Sequence, residues 1–66
     1  MKIKLNGSEI EVSENISVLE LMRMKEFDPG KYVAIVNDDV VPRSKISEIT
    51  LKKGDEVEII TMMGGG

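Results

Sequence analysis

The sequence predicts an α+β roll, a mixed sheet of four to five strands with one main helix on one face. Three observations carry this. The chain opens on an alternating hairpin, continues into a single capped amphipathic stretch, and then holds only short β-prone runs divided by turn residues.

The hairpin is "KIKLNGSEIEV". Ile3 and Leu5 alternate with Lys2 and Lys4, and Ile10 and Val12 alternate with Glu9 and Glu11. Between the arms, Asn6-Gly7 is the pair best suited to the positive φ angles of a type I′ turn. The outward faces carry lysines on one strand and glutamates on its neighbour, each opposite pair adding roughly 0.2–1 kcal/mol. "NISVLELMRMKEF" supplies the helix. Ser17 and Glu20 have capping-box spacing, with Ile16 and Leu21 as the hydrophobic staple. Val18, Leu19, Leu21, Met22 and Met24 give a broad apolar face. Asp28-Pro29-Gly30 is expected to end it.

A β-prone run from Tyr32 to Val36 comes next, then a polar turn over 37–39 and a short strand at Val40 and Val41. Pro42 lacks a ladder donor and belongs at an edge or a strand end. "RSKISEITL" holds one helical turn. A glycine-centred turn at Gly54-Asp55 leads into the last strand, 56–62, which runs straight into Gly64, Gly65 and Gly66. The expected organisation is one domain over 1–63 and a flexible glycine tail over 64–66.

Composition removes several function classes. A chain of 66 residues buries only about 60% of its unfolded surface, enough for a core but hardly for an enclosed catalytic cavity as well. With no Cys and no His, it has no thiolate nucleophile, no zinc–thiolate site and no imidazole base. The net charge of −3 argues against a nucleic-acid partner, which needs a basic face. "MKIKLNG" is not a signal peptide and no run approaches membrane-spanning length. The expectation is a cytoplasmic protein that binds neither nucleic acid nor membrane.

Several residues have plainer explanations than chemistry. Met22-Arg23-Met24-Lys25 resembles the lysine site of biotin carriers, but that lysine needs a hairpin tip and this one falls in a helix. Ser17 could suggest phosphopantetheine attachment, and its capping partner Glu20 accounts for it. Asp38-Asp39 is turn chemistry rather than a metal site, since calcium takes 6–8 oxygens; no metal site is expected. Arg43 reads equally well as a docking residue or a solvated charge. On the last strand, Val57, Ile59 and Thr61 share one face and Glu56, Glu58, Ile60 and Met62 the other. If the helix packs on the first face, Ile60 and Met62 leave an apolar spot next to the tail, either a contact site or a face partly covered by loops.

The glycine run cannot strengthen a strand, because glycine loses the most freedom on ordering. It is either a frayed end or a thin functional group. The whole chain resembles the ThiS family, the sulfur carriers of thiamine biosynthesis, through the Asn-Gly hairpin, the "SVLELM" helix, "VVPR", "L-x-x-G-D-x-V-E-I-I" and the final glycines. A third glycine, Gly64, is the one mild departure. The resemblance implies a ubiquitin-like β-grasp fold, with first and last strands parallel at the sheet centre. It also implies that an E1-like adenylyltransferase adenylates the Gly66 carboxylate using ATP and Mg, neither being bound by this chain. Sulfur from a cysteine desulfurase or sulfurtransferase then makes a thiocarboxylate, and thiazole synthase takes that sulfur. Gly64 and Gly65 supply reach, as three extended residues span roughly 10 Å; Ile60, Met62, Met63 and Arg43 are the expected partner-binding residues. The small subunit of molybdopterin synthase, a non-covalent β-grasp interaction module and a lysine-linked modifier remain alternatives.

Overall fold

The computed structural model describes residues 1–61. Met62, Met63, Gly64, Gly65 and Gly66, with the expectations placed on them, lie outside the described residues. Five strands and one helix follow in the order β1 (Lys2–Leu5), β2 (Ser8–Glu11), α1 (Val18–Met24), β3 (Tyr32–Val36), β4 (Asp39–Val41) and β5 (Glu56–Thr61), with a 3₁₀ turn at Arg43–Lys45 before β5.

The opening hairpin forms as its alternation requires. Leu5 pairs with Ser8, leaving Asn6 (φ 50°) and Gly7 (φ 85°) as the two-residue turn. Both positive angles are those a type I′ turn needs. Ile3 and Leu5 point into the core, while Lys2 and Lys4 stand outside opposite Glu11 and Glu9.

Helix α1 starts where the capping box places it. The Glu20 N–H donates to Ser17 Oγ (3.0 Å) and the Ser17 N–H to Glu20 Oε1 (2.9 Å). Val18, Leu21 and Met22 are buried. A seven-residue helix would be marginal alone, so this packing holds it. It ends earlier than expected, at Met24 rather than at Asp28-Pro29-Gly30. Glu26 takes a left-handed φ of 63°, and the N–H groups of Glu26 and Phe27 donate to the carbonyls of Arg23 (3.0 Å) and Met22 (2.7 Å). That pair of bonds is a Schellman ending. Met24, expected on the apolar face, is consequently half exposed, and Lys25 is the C-cap rather than an interior residue. Phe27 then meets Tyr32 edge-on at 5.0 Å, and Asp28 Oδ1 accepts the Gly30 N–H at 2.8 Å.

The β3–β4 turn is tighter than the sequence suggested. Asn37 (φ 49°) and Asp38 (φ 72°) alone form it, and Asp39 already pairs with Val36. Pro42 follows β4, an edge strand, where its missing donor costs no ladder bond. Near β5, the Asp55 N–H closes a turn onto the Lys52 carbonyl (3.0 Å) with Gly54 at φ 85°, the angle a type II turn asks of that position.

The sheet order is β2-β1-β5-β3-β4. β5, last in sequence, is central, parallel to β1 (Lys4↔Glu56, Leu5↔Val57) and antiparallel to β3 from Val36↔Val57 to Tyr32↔Thr61. The helix and the 46–51 segment cover one face, where Ile3, Leu5, Ala34, Val41, Val57 and Ile59 meet Val18, Leu21, Met22, Ile46 and Leu51. The Val18 and Leu51 N–H groups bond the carbonyls of Ile49 (2.9 Å) and Ile16 (2.8 Å), strapping that segment to the helix entry.

Two substitutions test these endings. Glu26→Gly removes a side chain from a left-handed position and should raise stability by about 0.5–1 kcal/mol. Asn37→Gly preserves the positive φ but deletes the side-chain bonds to Asp55 (3.0 Å) and to the Glu56 N–H (3.0 Å), and should lose about 1 kcal/mol. Urea midpoints with unchanged m values measure both; a lower midpoint for Glu26→Gly would contradict the helix ending.

Candidate partner-docking face and carrier end

One face of the sheet carries the core and, among the described residues, no element covers the other. Because side chains alternate along a strand, the buried Ala34, Val41, Val57 and Ile59 put Val33, Ile35, Val40, Glu56, Glu58 and Ile60 on the open side. This face is split. Over β2 and β1 it is charged, with Lys2 Nζ 4.0 Å from Glu9 Oε1. Over β3, β4 and the end of β5 at Ile60 it is apolar, while Glu56 and Glu58 place carboxylates on the earlier part of β5. Val33 lies opposite Ile60 and Ile35 opposite Val40.

Ile60 is 49% exposed and Val40 63%, while Val33 and Ile35 are half-buried. The alternation assigned Ile60 correctly. It did not find Val33 and Ile35, because "YVAIV" is apolar at every position and its parity is set only by Ala34 facing the core. Thr61 has core-face parity but is exposed at the strand end. Glu58 lies directly opposite Ile35. A shallow hollow of about 160 Å³ beside it is lined by Lys4, Ile35, Asp38, Glu56 and Glu58, giving the apolar patch a carboxylate rim.

Arg43 is exposed, and its Nη2 donates to the Gly30 carbonyl at 3.3 Å. It therefore latches the segment after β4 to the loop before β3, a contact the sequence did not suggest. By register it lies level with Tyr32 and Thr61, at the end of the sheet from which the chain leaves β5. Ser17 is a cap and Met22 is core. Among the described residues, no cluster of three or more His, Cys, Asp or Glu could hold a metal, and no helix is long and apolar enough to cross a membrane.

Sequence reasoning also missed what Asn6 and Asn37 do beyond their turns. Asn6 Oδ1 accepts the Ile59 N–H at 2.9 Å. Asn37 Oδ1 accepts the Glu56 N–H, its Nδ2 donates to Asp55 Oδ1, and its backbone N–H bonds the Glu56 carbonyl at 2.8 Å. Both asparagines sit first in a type I′ turn and both bond to β5 or the turn that feeds it.

A profile of the ThiS family matches residues 2–66. The crystal structure of the thiamine biosynthesis protein ThiS from Geobacter metallireducens superimposes with a TM-score of 0.86 and 32% identity, covering all of both chains. A thiazole synthase of Paramagnetospirillum magneticum is 32% identical over 66 residues, and the chain spans only 20% of that protein's length. The uncharacterized protein ycf40 of Pyropia yezoensis is 29% identical, with 93% of its length covered. The first and last strands lie parallel at the sheet centre, as the resemblance implied. The chain belongs to the ThiS family, the ubiquitin-like sulfur carriers of thiamine biosynthesis.

Proposed function

We propose that this chain is a protein cosubstrate whose Gly66 carboxylate carries sulfur as a thiocarboxylate, and that partner enzymes perform every chemical step. The carboxylate attacks the α-phosphorus of ATP, with Mg held by the activating partner, and pyrophosphate leaves. A persulfide supplied from a cysteine desulfurase or sulfurtransferase then displaces AMP to give an acyl disulfide, and a partner thiol cleaves its S–S bond, forming a new disulfide and releasing the thiocarboxylate. Adenylation is needed because a free carboxylate has no leaving group. The carrier itself needs no acid, base or metal for this, which accords with a chain lacking Cys and His.

The observation that carries the reading is the family match through residue 66, joined to a central strand that leads in sequence through Met62 and Met63 into Gly64, Gly65 and Gly66. Residues without Cβ atoms can pass a narrow channel, and their bare backbone is open to hydrogen bonding. In this reading the partners are an E1-like adenylyltransferase and thiazole synthase, both docking on the patch of Val33, Ile35, Val40 and Ile60. Met62, Met63 and Arg43 extend that contact toward the tail. A thiazole synthase that contains a stretch similar to this whole chain supports the second partner. It also favours the thiamine branch over the molybdopterin alternative.

Intact mass of the protein from its own host tests the chemistry, with a fraction shifted by exchange of one oxygen for sulfur as the expected result. An alanine appended after Gly66 should leave the melting temperature unchanged and abolish ATP–pyrophosphate exchange with the activating enzyme; normal exchange would sink the mechanism. Ile60→Asp places a charge at the centre of the proposed contact, where an unpaired buried charge costs about 3 kcal/mol or more. It should weaken binding to both partners by on the order of a hundredfold, with little loss of stability because Ile60 is half exposed. Unaltered binding by titration calorimetry would remove the patch from the docking surface.

A further inference from the structure

β5 is held unevenly along its length. On the β3 side its pairing runs through Thr61. On the β1 side the ladder stops early, at Leu5↔Val57, because β1 turns away into Asn6-Gly7. The Asn6 backbone N–H makes one more bond, to the Val57 carbonyl at 2.9 Å. The next group on that edge is the Ile59 N–H, and no backbone carbonyl of β1 continues to meet it. Asn6 Oδ1 meets it instead, at 2.9 Å in a partly buried setting. The amide side chain thus stands in for the missing strand residue and carries the parallel ladder one step further.

We infer that Asn6 is a positioning residue for the last strand: its side-chain carbonyl fixes the outgoing course of β5 up to Thr61 and thereby the presentation of Ile60. This rests on the functional reading above only for its consequence in activation. The asparagine is suited to both duties, since it tolerates the left-handed φ of 50° and offers an acceptor at the right reach. Without that bond, β5 beyond Val57 would be tied on one side only. A partner must grip Ile60 and the tail together, so it would have to order the strand itself on binding, and affinity would fall.

The test compares Asn6→Gly, which keeps the turn angles and removes the acceptor, with Asn6→Asp, which keeps an acceptor oxygen. In Asn6→Gly, amide exchange at Ile59 should accelerate on the order of tenfold relative to Leu21, a buried helix residue remote from the turn whose N–H bonds the Ser17 carbonyl. In pyrophosphate exchange, KM for this carrier should rise about three- to tenfold with kcat little changed, as expected when binding rather than chemistry is impaired. Asn6→Asp should restore both. A merely structural role would speed Ile59 and Leu21 exchange alike and leave KM of the folded protein unmoved; that result overturns the inference, as does failure of Asn6→Asp to rescue. If the unaltered protein supports no exchange at all, the functional reading fails instead. Ile59 protection then decides alone, with faster selective exchange upholding the role of Asn6 and unchanged protection overturning it.

Discussion

The structure depends on a last strand that must find the middle of the sheet. β5 occupies the central position between β1 and β3, and its inward residues Val57 and Ile59 are both buried. The parallel pairing with β1 cannot be made by a tight turn; it needs a long crossover, which here contains α1, the β3–β4 hairpin and the 46–51 strap. Two hairpins, β1–β2 and β3–β4, are local and stand on either side of a gap that only β5 fills. The sheet is completed by contacts of large sequence separation, which are the slow ones to form.

That dependence explains where the polar side chains are spent. The turn at each flanking hairpin places an asparagine first, and each asparagine reaches β5 or its approach: Asn37 at Glu56 and Asp55, Asn6 at Ile59. Asp55 adds a second oxygen, accepting the Lys52 N–H at 2.8 Å. A glycine or aspartate would satisfy the turn angles nearly as well. Asparagine brings an acceptor and a donor in one side chain, so the turns fix the strand between them as well as reversing the chain.

Local features were legible in the sequence and distant ones were not. The Asn6-Gly7 turn and the Ser17–Glu20 capping box are written within four residues, and both formed. The helix ending was misplaced because its signal is normally a glycine, and here Glu26 takes the left-handed position while Pro29-Gly30 offers a false stop three residues later. Alternation along "EVEII" gave the exposure of Ile60, yet "YVAIV" concealed Val33 and Ile35, since a strand apolar at every position hides its parity. The Asn6–Ile59 bond joins residues 53 apart, beyond any local pattern. Strand order came from family resemblance and not from periodicity.

The open face shows what kind of binding such a carrier can sustain. Four apolar side chains with neighbouring carboxylates are few against the roughly 20–30 residues that each side of a standard interface contributes. A large hydrophobic face would hold one partner firmly, whereas a carrier that is activated, charged and discharged, as proposed above, would have to leave each partner in turn. On the functional reading above, the missing affinity comes from the tail, bound at the same time as the patch. Two weak contacts joined by a short rigid strand act at high effective concentration, and either one alone lets go. On the same reading, a β5 held on both sides would make the two contacts one event, so the Asn6–Ile59 bond would bear on function as well as on stability.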